Sequence, residues 1–203
     1  MKDNPTVFVV DDDPGMRAST GMLLESSGLR HEAFASAADF LDSYDKAQPG
    51  CLVVDLSMPG MGGMDLLQHL RSHGIRIPAL IVSGTGSIPL VVQGMKLGIV
   101  DFLEKPADPV LLIEKVRIAL ELDEQQRADQ ASLQPIAQKL ATLTAREKEL
   151  LALLVRGLSS KQVAAALKIS IKTVENHRAH LMQKTGALNA ADLTRMAMLA
   201  GTQ

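Results

Sequence analysis

The stretch Cys51-Leu52-Val53-Val54-Asp55-Leu56-Ser57-Met58-Pro59 sets one carboxylate at the end of a short apolar run, just before a loop. Leu52, Val53 and Val54 are too few for a helix and suit a strand buried on both faces; Pro59, Gly60, Gly62 and Gly63 forbid its continuation. Asp55 therefore belongs at a strand's carboxyl end, the edge at which open α/β sheets bind their ligands. The fold turns on which other strand ends deliver polar groups beside it.

Thr6–Val10 (T-V-F-V-V) reads as a buried strand that stops at Asp11-Asp12-Asp13, with Asp13 as N-cap and Pro14 as first residue of a helix reaching Ser27 and burying Met16, Leu23 and Leu24. A strand around His31–Phe34, a helix over Ser36–Lys46, the strand of Asp55 and a helix over Met64–His73 follow. Ala79–Val82 is a fourth strand, ending at Ser83 and Gly84-Thr85-Gly86; Val100–Leu103 is a fifth, ending at Lys105-Pro106; Asp108-Pro109 opens a last helix. Strands alternating with helices predict an α/β, doubly wound, five-stranded parallel sheet with Asp11, Asp12, Asp55, Ser83 and Lys105 at one edge.

Those side chains suit reversible phosphorylation of a carboxylate. Asp55 can attack phosphorus, while Mg²⁺ held by Asp12, Asp55 and the Ser57 backbone carbonyl, with Asp11 supporting, would offset the like charges gathered there. The Ser83 hydroxyl and the Lys105 ammonium would bind the transferred phosphoryl oxygens. On D-D after the first strand, D-L-S-M-P around Asp55, Ser83, and D-F-L-E-K-P from Asp101 to Pro106, residues 5 to about 122 resemble a response-regulator receiver domain, of the flavodoxin-like fold. The resemblance implies these roles, a cis Lys105-Pro106 bond, and a switch in which Ser83 turns inward with Phe102 following. Ala107, where many receivers have Phe, and Ser87, where close relatives often have Asp, depart from the pattern.

Charge divides the chain. Residues 1–137 hold 11 Lys+Arg against 19 Asp+Glu and residues 138–203 hold 10 against 4, so net charges of -8 and +6 make up the -2 of the whole. The basic part is a plausible phosphate-binding footprint, and with no aromatic beyond Phe102 it has no stacking platform for single strands, which favours duplex DNA. From Glu121 the sequence turns polar, either prolonging the preceding helix or running as coil, with Pro135 expected to end either version; the division is 1–122, a linker over 123–138, and 139–203.

The second part reads as all helical: a capping box at Thr144-Ala145-Arg146-Glu147 opening a helix that closes near Gly157, then helices over Ser160–Leu167, Ser170–Lys184 and Asn189–Ala200. The brief turn at Lys168-Ile169 makes a helix-turn-helix whose third segment is the recognition helix. Val174, His177 and Leu181 form its core side, and Lys172, Glu175, Asn176, Ala179 and Gln183 its open side. Lys172, Thr173, Glu175, Asn176, Arg178 and Ala179 are the candidate DNA contacts. L-T-A-R-E-K-E-L-L, G-L-S-S-K-Q-V-A-A-A-L and S-I-K-T-V-E-N-H-R-A-H-L-M-Q-K-T-G resemble a LuxR-type DNA-binding domain over Leu140–Gly201, and the whole chain resembles the FixJ branch of the NarL/FixJ regulators. That resemblance implies a sensor histidine kinase as phosphodonor, double-stranded promoter DNA as target, a homodimer on phosphorylation, and RNA polymerase as a further partner.

Other features read more plainly. His69 and His73 are surface residues without a third ligand, and Met58, Met61 and Met64 are packing residues. Cys51, the single cysteine, is a core residue that excludes a disulfide within the chain. No apolar run reaches a membrane span and the start lacks signal-peptide features, so a cytoplasmic protein with no membrane partner is expected. The helix over Ser87–Leu97 is apolar nearly all round, which points its outer face at a partner. Two rival classes remain. A phosphohydrolase of the haloacid-dehalogenase kind needs an acid two residues after its nucleophile, where Ser57 stands, and the basic module would serve as a protein-binding domain if it had no DNA affinity.

Overall fold

The computed structural model describes residues 4–84 and 88–199. Ser87, the expected helix start there, and Ala200, the expected end of the last helix, lie outside the described residues. The chain divides into two compact units, Met1–Gln126 and Arg127–Gln203.

The first unit is a five-stranded parallel sheet of order β2-β1-β3-β4-β5. Its strands are β1 (Thr6–Val10), β2 (Arg30–Phe34), β3 (Gly50–Val54), β4 (Ala79–Ser83) and β5 (Asp101–Glu104). The helices between them are α1 (Pro14–Ser26), α2 (Ala37–Ser43), α3 (Gly63–Ser72) and α4 (Ile88–Lys96), and α5 (Pro109–Ala141) follows β5. Period-two alternation sorts each central strand into two cores. Phe8, Val10, Leu52, Val54 and Ile81 pack with Phe40, Leu66 and Leu70 on one side; Val7, Val9, Val53, Leu80 and Leu103 pack with Leu24, Leu112 and Val116 on the other. Cys51 lies in that second core, where burial pushes its thiol well up and leaves it inert.

Local chemistry sets the helix starts. Asp13 Oδ1 accepts the Gly15 and Met16 amides at 2.7 and 3.2 Å, Ser36 caps α2, and Asp108 Oδ1 accepts the Val110 and Leu111 amides. The helix expected over Ser36–Lys46 stops three residues earlier, at Ser43. Tyr44 is extended and packs its ring 5.3 Å from Phe8 and 5.0 Å from Phe40, while the Asp45 carboxylate turns the chain by accepting the Ala47 amide.

A second departure is α5, which continues to Ala141 with Pro135 inside it rather than ending there. Proline costs the Ala131 carbonyl its helical donor, but Ala131, Ser132, Gln134 and Pro135 are all exposed, so the loss falls where solvent can offset it. Asp123, counted with the polar linker by composition, is buried and accepts the Gly50 amide at 2.9 Å, which fastens α5 to the start of β3.

In the second unit, α6 (Ala145–Val155), α7 (Ser160–Leu167), α8 (Ile171–Thr185) and α9 (Ala190–Leu199) pack with Leu140 and Leu143 around Leu150, Leu151, Val163, Val174, Leu181, Leu193 and Ala197. Thr144 and Glu147 form a capping box, as do Ser159 and Gln162. Lys168 takes the left-handed conformation (φ 54°) at the turn between α7 and α8, and Ser170 caps α8.

Candidate functional site

The strand order fixes which acids meet. β1 lies between β2 and β3, and Val10 pairs with Val54, so Asp11 and Asp55 leave the sheet side by side at the point where the strand order reverses. One carboxylate oxygen from each of Asp11, Asp12 and Asp55 lies within 4.8 Å of the others; Asp11 and Asp55 are buried and Asp12 is exposed. Ser57, two residues further on, is exposed in the following loop.

Lys105 reaches this cluster from just beyond the end of β5. Its backbone amide bonds the Ser83 carbonyl at 3.0 Å, and its Nζ lies 2.7 Å from Asp11 Oδ2 and 2.9 Å from Asp55 Oδ2. Burial by itself would lower the Lys105 pKa, but the hydrogen bonds to Asp11 and Asp55 more than offset it and hold the ammonium above its usual value. The Lys105-Pro106 bond is cis. Ser83 is wholly buried at the end of β4, and Phe102, half-buried on the neighbouring strand, packs against the first core.

Asp55 Oδ1 is buried and has no hydrogen-bond partner among the described residues. An unpaired carboxylate oxygen in a dry site is costly unless a cation or donor completes it. Three carboxylates gathered at one end of the sheet, one with an orphaned oxygen, are the hard oxygen set that suits Mg²⁺. His69 and His73 form no such group among the described residues. Their rings lie 4.2 Å apart, and His73 Nδ1 contacts the His69 carbonyl at 2.9 Å.

On α8 the faces separate as the spacing requires. Val174 and Leu181 are fully buried, whereas Lys172, Glu175, Asn176, Ala179 and Gln183 are exposed. His177, expected on the core side, is half-buried, and Thr173, also half-buried, shares a 2.7 Å hydroxyl contact with Ser170. Arg178 is not a free cation: Nη1 donates to Ser160 Oγ at 2.8 Å, tying α8 to the start of α7. Two further ties leave no signal in the local sequence because each depends on a distant partner. Arg146 Nη2 donates to the Leu167 carbonyl at 2.7 Å, and Lys184 Nζ lies 2.7 Å from the buried Glu147 carboxylate. Lys184, with the Thr144 amide and hydroxyl, holds the Glu147 carboxyl down at about 2.

A parallel sheet with an acid cluster and a lysine at its switch point, in a chain that also carries a helix-turn-helix, defines a class that family comparison names. Residues 7–117 match the response regulator receiver domain and residues 141–197 the luxR family of bacterial regulatory proteins. The chain belongs to the response regulators that join these two domains, the transcriptional regulators of two-component systems, a family of transcription factors rather than enzymes.

Among individual proteins, it is 41% identical over 201 residues to the transcriptional regulatory protein FixJ of Azorhizobium caulinodans, covering 99% of this chain and 95% of that one. In structure it is similar to the response regulator StyR (TM-score 0.74, 37% identity, 96% of this chain and 98% of that one). Full-length FixJ from B. japonicum is similar too (TM-score 0.57, 38% identity, 98% of each chain). No helix among the described residues is long and apolar enough to cross a membrane.

Proposed function

We propose that this protein is a phosphorylation-dependent regulator that accepts a phosphoryl group on Asp55 from a sensor histidine kinase, pairs with a second copy, and then binds promoter DNA. The observation that carries the reading is the pocket itself: an orphaned Asp55 oxygen among three clustered acids, with Lys105 Nζ 2.9 Å away. Residues 1–122 receive the signal, 139–203 read DNA and 123–138 join them, in the cytoplasm, with RNA polymerase as a later partner.

In this reading Asp12, Asp55 and the Ser57 carbonyl would hold Mg²⁺, with Asp11 supporting. When bound, the ion supplies the positive charge that lets carboxylates and a phosphoryl group share one pocket. Asp55 is the nucleophile. Lys105, already paired with Asp55, offers its ammonium to the phosphoryl oxygens, and the Ser83 hydroxyl reaches the same group from β4. Drawing Ser83 inward, with Phe102 following, carries the event to α4. With a small-molecule phosphodonor and Mg²⁺ the chain is expected to acquire one phosphoryl group by intact mass, and a chelator should prevent it. Uptake that ignores chelation would contradict the metal assignment.

The open face of α8 is the DNA reader. Lys172 is a phosphate contact, so Lys172→Ala should weaken binding on all sequences and lower the slope of log affinity against log salt by about one unit. Arg178 serves the same role only by leaving Ser160, and its loss should cost packing of α8 as well as affinity. Asn176 can pair bidentately with adenine and Glu175 can accept from cytosine, with Thr173 and Ala179 bordering the same groove. Asn176→Ala should therefore lose about 1–3 kcal/mol at particular base pairs alone. Equal losses on cognate and random DNA would count against the groove role of Asn176.

A further inference from the structure

α4 is seated unevenly. Gly94 alone of its residues is buried, so close to β4 and to Ile99, two residues before β5, that an added Cβ would lie 2.7 Å from Ile99 Cδ1 and 3.3 Å from Ile81 Cδ1. The outer stripe of Ile88, Val92 and Met95 is 82%, 48% and 48% exposed. The end of the helix is held from outside. Arg71, in the last turn of α3, donates from Nε to the Leu97 carbonyl at 2.8 Å, from Nη1 to Ile75 at 2.8 Å, and from Nη2 to Ile77 at 3.0 Å and Gly98 at 3.5 Å.

Leu97 and Gly98 close α4, Gly98 in the left-handed region at φ 76°. The Leu97 carbonyl, at the cap, is one of the groups a helix end leaves without a helical donor. One planar guanidinium thus binds the end of α4, the end of α3 and the approach to β4 together. A lysine, with one ammonium centre, has no fork to do so. Burial, and then the charge of Arg76, holds the Arg71 guanidinium below its usual value, so a charge is maintained there at a cost.

We infer that Arg71 is a positioning residue of the switch: it fixes the C-terminal end of α4, so that a change at Ser83 is taken up by the N-terminal half of the helix, the half carrying Ile88 and Val92. This rests on the phosphorylation reading above. Ser83 is the last residue of β4 and stands five positions before Ile88, the first residue of α4. A helix of this length spans about 13 Å, so tilting it about 10° around a held end displaces the other end by about 2 Å. That is enough to remake an apolar contact. With both ends loose, the same event would be dissipated.

The test is amide hydrogen exchange on the full chain, with and without a small-molecule phosphodonor in Mg²⁺, phosphoryl uptake being followed separately by intact mass. In the wild type, phosphorylation should change exchange over 90–93 and leave 97–99 unaltered. In Arg71→Lys and Arg71→Gln, uptake should match wild type, exchange should change over both halves, and phosphorylation-dependent association should weaken at least tenfold. A wild-type change spread evenly along α4 or centred on 97–99 would overturn the inference, as would either variant associating like wild type. Should neither variant fold, the wild-type exchange pattern decides alone. Wild type that takes up no phosphoryl group would overturn the phosphorylation reading instead.

Discussion

Asp55→Asn should take up no phosphoryl group from any small-molecule donor in Mg²⁺, while remaining folded. The amide is isosteric with the carboxylate but is no nucleophile, and it removes one negative charge from the cluster of Asp11, Asp12 and Asp55. Its oxygen can still accept from Lys105, which keeps its 2.7 Å partner Asp11, so neither the sheet nor the lysine loses its anchor. Ser83→Ala and Lys105→Ala act differently. Each leaves the nucleophile in place and removes one donor to the phosphoryl oxygens, so labelling should slow, or persist without a response in DNA affinity. Retained labelling of the Asn variant would disprove the assignment of Asp55.

Val92→Glu should phosphorylate normally and yet remain monomeric. Of the two adjacent valines in α4, Val91 is half-buried and Val92 is exposed between Ile88 and Met95 on the outer stripe. A carboxylate at Val92 stands on an exposed stripe, outside the acid cluster of Asp11, Asp12 and Asp55, and costs the free receiver little. In a pair of receivers meeting on this stripe it would be desolvated without a partner, at about 3 kcal/mol, or roughly a hundredfold in the dimer dissociation constant. Sedimentation velocity after phosphorylation checks it. A phosphorylated variant as dimeric as wild type would place the contact elsewhere.

Much of the first unit is legible in its local sequence. Four apolar or β-branched runs, at Thr6–Val10, Leu52–Val54, Ala79–Val82 and Val100–Leu103, each closed by polar or turn-forming residues, predict four strands, the shorter His31–Phe34 a fifth, and the alternation with helices predicts a parallel sheet. That sheet then brings Asp11, Asp12, Asp55 and Lys105 together without further information. The early end of α2 is less legible, since it depends on Tyr44 finding Phe8 and Phe40 across the fold. Pro135 misleads for a related reason. Its penalty is a freed carbonyl, and on an exposed helix that loss falls where solvent can offset it.

The side-chain ties are hardest to foresee. Arg71 is one more basic residue at a helix end, Arg178 one more cation on a basic helix, and Glu147 only half of a capping box. Their partners at Leu97, Ser160 and Lys184 lie 26, 18 and 37 positions away and are brought close only by the finished fold. The exposed stripe of α4 lies between these extremes. An all-round apolar helix is visible in the sequence, but which residues stay uncovered is decided by how Gly94 seats it on Ile81 and Ile99.

The central claim is that a phosphoryl group on Asp55 raises affinity for duplex DNA by pairing two chains, because the second recognition helix then binds as an intramolecular partner. Operator affinity of the full chain, measured at one fixed salt concentration before and after phosphorylation with Asp55→Asn as the control, tests it directly. The account predicts weak binding by the unmodified chain, a gain on the order of a hundredfold on phosphorylation, and no gain for the Asn variant. Equal affinity of the phosphorylated and unphosphorylated wild type would contradict it.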